Sequence, residues 1–159
     1  MIEIKKGYSY IDEIKELILK YYQELDRNLD FQNIDEELNH LQEKYQEPNG
    51  ELLVALMNQK VVGCVAYHQF QDEICEMKRL YVLPEYRAYH IGQLLVEEII
   101  KEAKLAGYKD MVLDTIEPLQ SAIHLYKKMG FEEVDAYYNN PMKDVIYMKL
   151  HLSKEKTSD

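Results

Sequence analysis

The chain has 159 residues, 47% hydrophobic and 30% charged, with a formal net charge of −10. That is the balance of one globular domain with a real core, not of a disordered chain. The acidic excess argues against nucleic acid, whose binding relies on neutralising phosphates, and no apolar run is long enough for a membrane span.

Residues 1–5 alternate apolar and polar and predict an edge strand. Ser9 is a candidate N-cap, with Asp12 in capping-box position. Ile11, Ile14, Leu17, Ile18, Tyr21, Tyr22 and Leu25 then follow helical spacing. A second helix is predicted from about Asp35 to Gln46, ended by the turn Glu47-Pro48-Asn49-Gly50. Three strands follow, Leu52 to Met57, Val61 to Phe70 and Glu73 to Val82, joined by links short enough to make them antiparallel neighbours.

The stretch from Leu80 to Leu95, LYVLPEYRAYHIGQLL, organises the rest. It runs from a strand end through a turn at Pro84 into a helix beginning near Ile91. A helix start presents backbone N–H groups without helical partners and the positive end of the peptide dipoles, so it can hold a phosphate. Arg87 adds a planar fork of donors beside it. The helix stops at Gly107, and a buried strand is predicted at Met111-Val112-Leu113. Pro118 marks the start of another helix, which runs to Gly130. Two last strands are predicted near Glu132 to Tyr137 and Val145 to Leu152, before a polar tail at residues 154–159.

The six residues Arg87-Ala88-Tyr89-His90-Ile91-Gly92 resemble motif A of the GNAT superfamily, the Gcn5-related N-acetyltransferases, whose pattern is Gln/Arg-x-x-Gly-x-Gly/Ala. His90 stands where that family favours glycine. Ala122-Ile123-His124-Leu125-Tyr126-Lys127-Lys128-Met129-Gly130-Phe131 resembles its motif B, and Leu119 stands where many members carry asparagine. The blocks at 76–82, 113–115, 125–131 and 137–141 are similar to a bacterial subgroup of the superfamily whose acceptors are unassigned.

The resemblance implies an α/β (α+β) GNAT fold in one domain, residues 1–153. Its order is β-α-α-β-β-β-α-β-α-β-β, in a mixed, mostly antiparallel twisted sheet with a central splay. It implies an acetyl-CoA-dependent N-acetyltransferase that acetylates a primary amine of a small molecule or peptide by direct attack in a ternary complex. The pantetheine arm would lie along Leu80, Tyr81 and Val82, with the Val82 N–H on the acetyl carbonyl. The pyrophosphate would sit over Arg87, Ala88, Tyr89, His90, Ile91, Gly92, Gln93 and Leu94. Histidine at position 90 keeps its N–H for the anion if its φ is negative.

The resemblance makes Glu76, eleven residues before Arg87, the candidate general base, since some members of the superfamily carry their base glutamate at this offset, and partial burial in the splay would raise its pKa; an ion pair with Lys78 on the same strand face is the competing role. The resemblance to motif B makes Tyr126 the candidate general acid toward the coenzyme A thiolate, against a plain core tyrosine. His124 is placed on the outer face of its helix. The acceptor side is expected among Tyr21, Tyr22, Phe31 and Tyr137-Tyr138-Asn139-Asn140-Pro141.

No metal site is expected, because the five histidines are scattered without ligand spacing. Cys64 and Cys75 are expected as unbonded core thiols, a cytoplasmic location follows from the absence of a leader pattern, and a homodimer is open because dimers are common in the superfamily. A non-catalytic acyl-CoA-binding module is the competing function, favoured by His90 and Leu119.

Overall fold

The computed structural model describes residues 1–25, 34–140 and 142–152. Phe31, Pro141 and the tail at 154–159 lie outside them. The elements run β1 (Ile2–Lys6), α1 (Ile11–Leu25), α2 (Ile34–Asn39), α3 (Leu41–Lys44), β2 (Glu51–Met57), β3 (Lys60–Gln71), β4 (Ile74–Val82), a 3-10 turn (Pro84–Tyr89), α4 (Ile91–Leu105), β5 (Asp110–Ile116), α5 (Gln120–Lys128), β6 (Glu132–Val134) and β7 (Val145–His151). The seven strands form one sheet in the order β1-β2-β3-β4-β5-β7-β6. Every pairing is antiparallel except β4 with β5.

The strand expected near Glu132 to Tyr137 stops at Val134, and two expectations near the start of the chain also differ. The single helix expected over Asp35 to Gln46 is two short ones, broken at His40, whose φ is −131°. The break frees α2 to follow a buried charge, Glu37, instead of a continuous apolar stripe. Ser9 is not the cap of α1. The turn closes through Tyr10 N–H on Gly7 O, and the Tyr10 carbonyl accepts the first helical bond from Ile14.

The two faces of the sheet are covered by different helices. Val54 and Cys64 face each other across β2 and β3, and Ala55 and Gly63 form the next pair along. A side chain added at Gly7 would meet both Ile14 of α1 and Val54, which puts α1 on the Val54 face. A side chain at Gly63 would meet Leu95 of α4 at 3.1 Å and the Tyr81 carbonyl at 3.0 Å, so α4 lies on the opposite face. The missing Cβ at Gly63 is what lets α4 come down onto the end of β4. Leu95, Val96 and Ile99 are fully buried there, each apolar side chain contributing about 1.5–3 kcal/mol.

The parallel ladder between β4 and β5 is short. It holds three pairs, Ile74 with Asp110, Cys75 with Met111 and Glu76 with Val112. β4 continues to Val82 on β3 and β5 to Ile116 on β7 without pairing with each other, so the two strands part and open a splay in mid-sheet. A bulge deepens the divergence. The β3 register slips between Cys64 and Ala66, and Arg79 has φ +66°. A bulge sends consecutive side chains to one face and adds twist.

Candidate active site

The splay is the mouth of a cleft of about 680 Å³. Its walls are the free edge of β4, the facing edge of β5, the N-terminus of α4, and α5 with the residues before it. Tyr21 and Glu24 of α1 close one side.

Leu80, Tyr81 and Val82 line it from β4. The Leu83 N–H is spent on Val62 of β3. Alternation along a strand turns the Val82 N–H and carbonyl the other way, into the splay. The carbonyl is taken by Arg87 Nε at 2.9 Å. Arg87 also gives both terminal nitrogens to Glu24 at 2.8 and 2.9 Å, and Tyr81 donates its hydroxyl to the same carboxylate. Arg87 thus stands at the cleft as part of a clamp that ties α1 to β4, and an incoming anion must share it with Glu24. These bonds, the Arg87 pair foremost, hold the Glu24 carboxyl below its ordinary pKa.

His90 takes φ +60° and ψ +27°, the left-handed conformation, directly before α4. The negative φ on which the retained contact was conditioned is not what the chain adopts. Histidine instead assumes the backbone shape that glycine favours, and so gives the turn a glycine-like path. Of the expected cradle, His90, Gly92 and Gln93 line the cleft along with Arg87. Ile91 is fully buried in the core, Ala88 and Tyr89 are exposed, and Leu94 is partly exposed. None of those four side chains lines the cleft, so any part they play there is through the main chain.

Tyr126 lies on α5 with its ring against Phe131 and lines the cleft. Its hydroxyl has no hydrogen-bond partner among the described residues. Burial pushes its pKa up, with Tyr21 and Asp114 adding to the effect. His124 is exposed, as expected, but also reaches the cleft rim, and Leu119 lines the wall before α5.

Glu76 is the last residue of β4 to pair with β5, and it does not line the cleft. It is buried beside His68 Nε2 at 2.7 Å and accepts from the Tyr137 hydroxyl at 2.6 Å. Burial alone would raise its pKa. The hydrogen bond with His68, the charge of Lys78 and the hydrogen bond from Tyr137 outweigh it and bring the carboxyl to about 2. The physical reason for choosing Glu76 as a base, a raised pKa, is therefore overturned.

Asp114 of β5 was missed as a site residue. It lines the cleft, accepts from the Tyr138 hydroxyl and sits among Tyr21, Tyr126 and Tyr147. Its block at 113–115 was legible, but which face of the sheet it occupied depended on where β4 and β5 part. Cys64 and Cys75 are unbonded and buried, as expected. Among the described residues no group of three or more His, Cys, Asp or Glu side chains could hold a metal, and no helix is long and apolar enough to cross a membrane.

Comparison with known proteins gives the same frame. A family model described as the Acetyltransferase (GNAT) family matches residues 11–131. An uncharacterized N-acetyltransferase of Schizosaccharomyces pombe is 47% identical over 146 residues, covering 91% of this chain and 90% of that protein. An acetyltransferase of the GNAT family from Staphylococcus aureus superposes with a TM-score of 0.81 at 25% identity, over 96% of this chain and all of its own. The Campylobacter jejuni N-acetyltransferase PseH, solved in complex with acetyl coenzyme A, shares the fold at a TM-score of 0.65 and 22% identity, over 96% of this chain and 100% of that one.

Proposed function

The chain belongs to the acetyltransferase (GNAT) family, and from that premise we propose that it moves the acetyl group of acetyl-CoA to an amine held in the same cleft. The observation that carries this is the three-pair ladder between β4 and β5. It leaves an unpaired strand edge that leads through the 3-10 turn to the N-terminus of α4, which suits a pantetheine arm followed by a pyrophosphate.

The pantetheine lies along Leu80, Tyr81 and Val82, and the Val82 N–H meets the acetyl carbonyl as charge develops on its oxygen. The main chain from Arg87 through Ala88, Tyr89, His90, Ile91, Gly92, Gln93 and Leu94 cradles the pyrophosphate, with Arg87 shared between it and Glu24. The amine attacks within the ternary complex. Its C–N bond forms, the C–S bond breaks, and Tyr126 gives a proton to the departing thiolate.

The amine's proton passes to Asp114, the cleft-lining carboxylate on β5, and returns through the cleft to Tyr126. Glu76 is the alternative acceptor, relayed through water. Its strand position beside the splay favours it, while its low pKa and two existing partners count against it.

Two measurements test this. Calorimetric titration with acetyl-CoA is expected to show saturable binding; its absence removes the proposal. Asp114→Asn is expected to cut kcat/KM by about 100-fold or more, and Glu76→Gln by less. The reverse order returns the proton to Glu76.

A further inference from the structure

Lys78 and Asp114 are the first same-face residues beyond the end of the β4–β5 ladder. Glu76 pairs with Val112. Two residues further along each strand, where the alternation returns to the same face, stand Lys78 and Asp114. The strands have parted there, so the two groups face each other across the splay, and both line the cleft. One wall carries a cation and the other an anion.

Among the described residues the cation has its donors unspent. Arg79, its neighbour, gives each of its three nitrogens to a partner, two to Glu37 at 2.6 and 2.7 Å and one to the Tyr22 hydroxyl at 2.6 Å. Glu76 is occupied by His68 and Tyr137. The Lys78 ammonium makes no hydrogen bond or ion pair among the described residues. The residue is half-buried on the cleft wall. Burial lowers its pKa, against the pull of Glu76 and Asp114, with Arg79 and Lys44 pushing the same way as burial. A half-buried ammonium whose donors no described residue meets is costly, and an anionic group on a ligand would offset that cost.

Asp114 makes the complementary half. Its described partner is the Tyr138 hydroxyl, and it stands among aromatic rings and near the Tyr126 hydroxyl. An ammonium docked on Asp114 would therefore lie on the side of the cleft where the thiolate is discharged. A polyamine or an aminoglycoside brings a cation to both walls and is repelled by Lys78, and a lysine side chain brings one ammonium and no anion for Lys78. The overall charge of −10 draws cations from afar, but the local pair decides what fits.

Resting on the acetyl-transfer reading above, we propose that the acceptor is a free amino acid, its ammonium on Asp114 and its carboxylate on Lys78.

The test is thiol release from acetyl-CoA with the twenty amino acids, each matched to its decarboxylated amine, and with spermidine as a dication. At least one amino acid is expected to exceed its decarboxylated partner in kcat/KM by about 100-fold. That ratio is read on the unaltered protein and needs no variant. Lys78→Met, checked for an unchanged melting transition, is expected to bring the ratio toward one, and so is Lys78→Gln. Decarboxylated amines or spermidine turning over as well as the amino acids, no turnover with any amino acid, or an unchanged ratio in the folded Lys78 variants overturns the inference. Calorimetric binding of acetyl-CoA, measured on the same sample, separates the failures: binding without amino-acid acetylation removes this inference alone, and no binding removes the acetyl-transfer reading as well.

Discussion

Tyr126 and His90 show how much one residue's surroundings decide. The Tyr126 hydroxyl is buried at the cleft with no described partner, and its pKa is pushed up by burial. It keeps its proton until a strong base appears beside it, and a thiolate leaving inside the same closed space is such a base. Tyr126→Phe removes the proton and no described hydrogen bond. It is expected to slow turnover by about 100-fold with the melting transition unchanged, and wild-type kcat in that variant excludes the residue from proton transfer. His90 was legible as a departure from the glycine of its motif, and its left-handed backbone explains why glycine is favoured there. His90→Gly relieves a strained residue but adds freedom to the unfolded chain, two effects of about 1 kcal/mol that oppose each other. The expected stability change is within about 1 kcal/mol, with acetyl-CoA affinity retained; calorimetry and thermal melts check both. The base could not be chosen from sequence. Glu76 and Lys78 were visible on one strand face, but the contacts of His68 and Tyr137 that bring Glu76 to about 2 come from 8 and 61 residues away.

Among the elements, α2 and the bulge of β4 hold each other. Arg79 combines a left-handed backbone with a buried guanidinium, and Glu37 of α2 meets it at two nitrogens. The same carboxylate receives the Tyr45 hydroxyl and Lys44. The bulge turns the edge from Leu80 to Val82 toward the splay, so a surface helix fixes the geometry of the strand edge proposed to hold the cofactor. Glu37→Gln strands a buried arginine, which costs about 3–5 kcal/mol. A lower midpoint in urea, with a raised KM for acetyl-CoA, is expected; an unchanged KM would separate α2 from the site. The strands, α4 and α5 were readable because their periodicity matches their burial. The split into α2 and α3 was not, because a charged residue, Glu37, occupies the buried face there and the pairing that pays for it lies 42 residues away.

For the molecule as a whole, fold and family were legible from strand order and two motifs, whereas the acceptor side depends on how the sheet opens. The same contacts set the response to acid. Glu37 and Glu76 each fall from an ordinary 4.5 to about 2, burial being outweighed by Arg79 and Lys44 in one and by His68, Lys78 and Tyr137 in the other. A carboxyl depressed on folding stabilises fully above its unfolded value and loses that contribution as pH falls toward the folded one. The melting temperature is therefore expected to hold down to about pH 5 and to drop steeply between there and pH 2, with a shallower drop in Glu37→Gln. Burial has a different consequence for sulfur. It lifts both Cys64 and Cys75 to about 12, only partly countered by Arg79 at Cys64 and by a backbone hydrogen bond at Cys75. Almost no reactive anion forms on either at neutral pH, so a chromogenic disulfide reagent left with the native protein should stay colourless until coenzyme A is discharged.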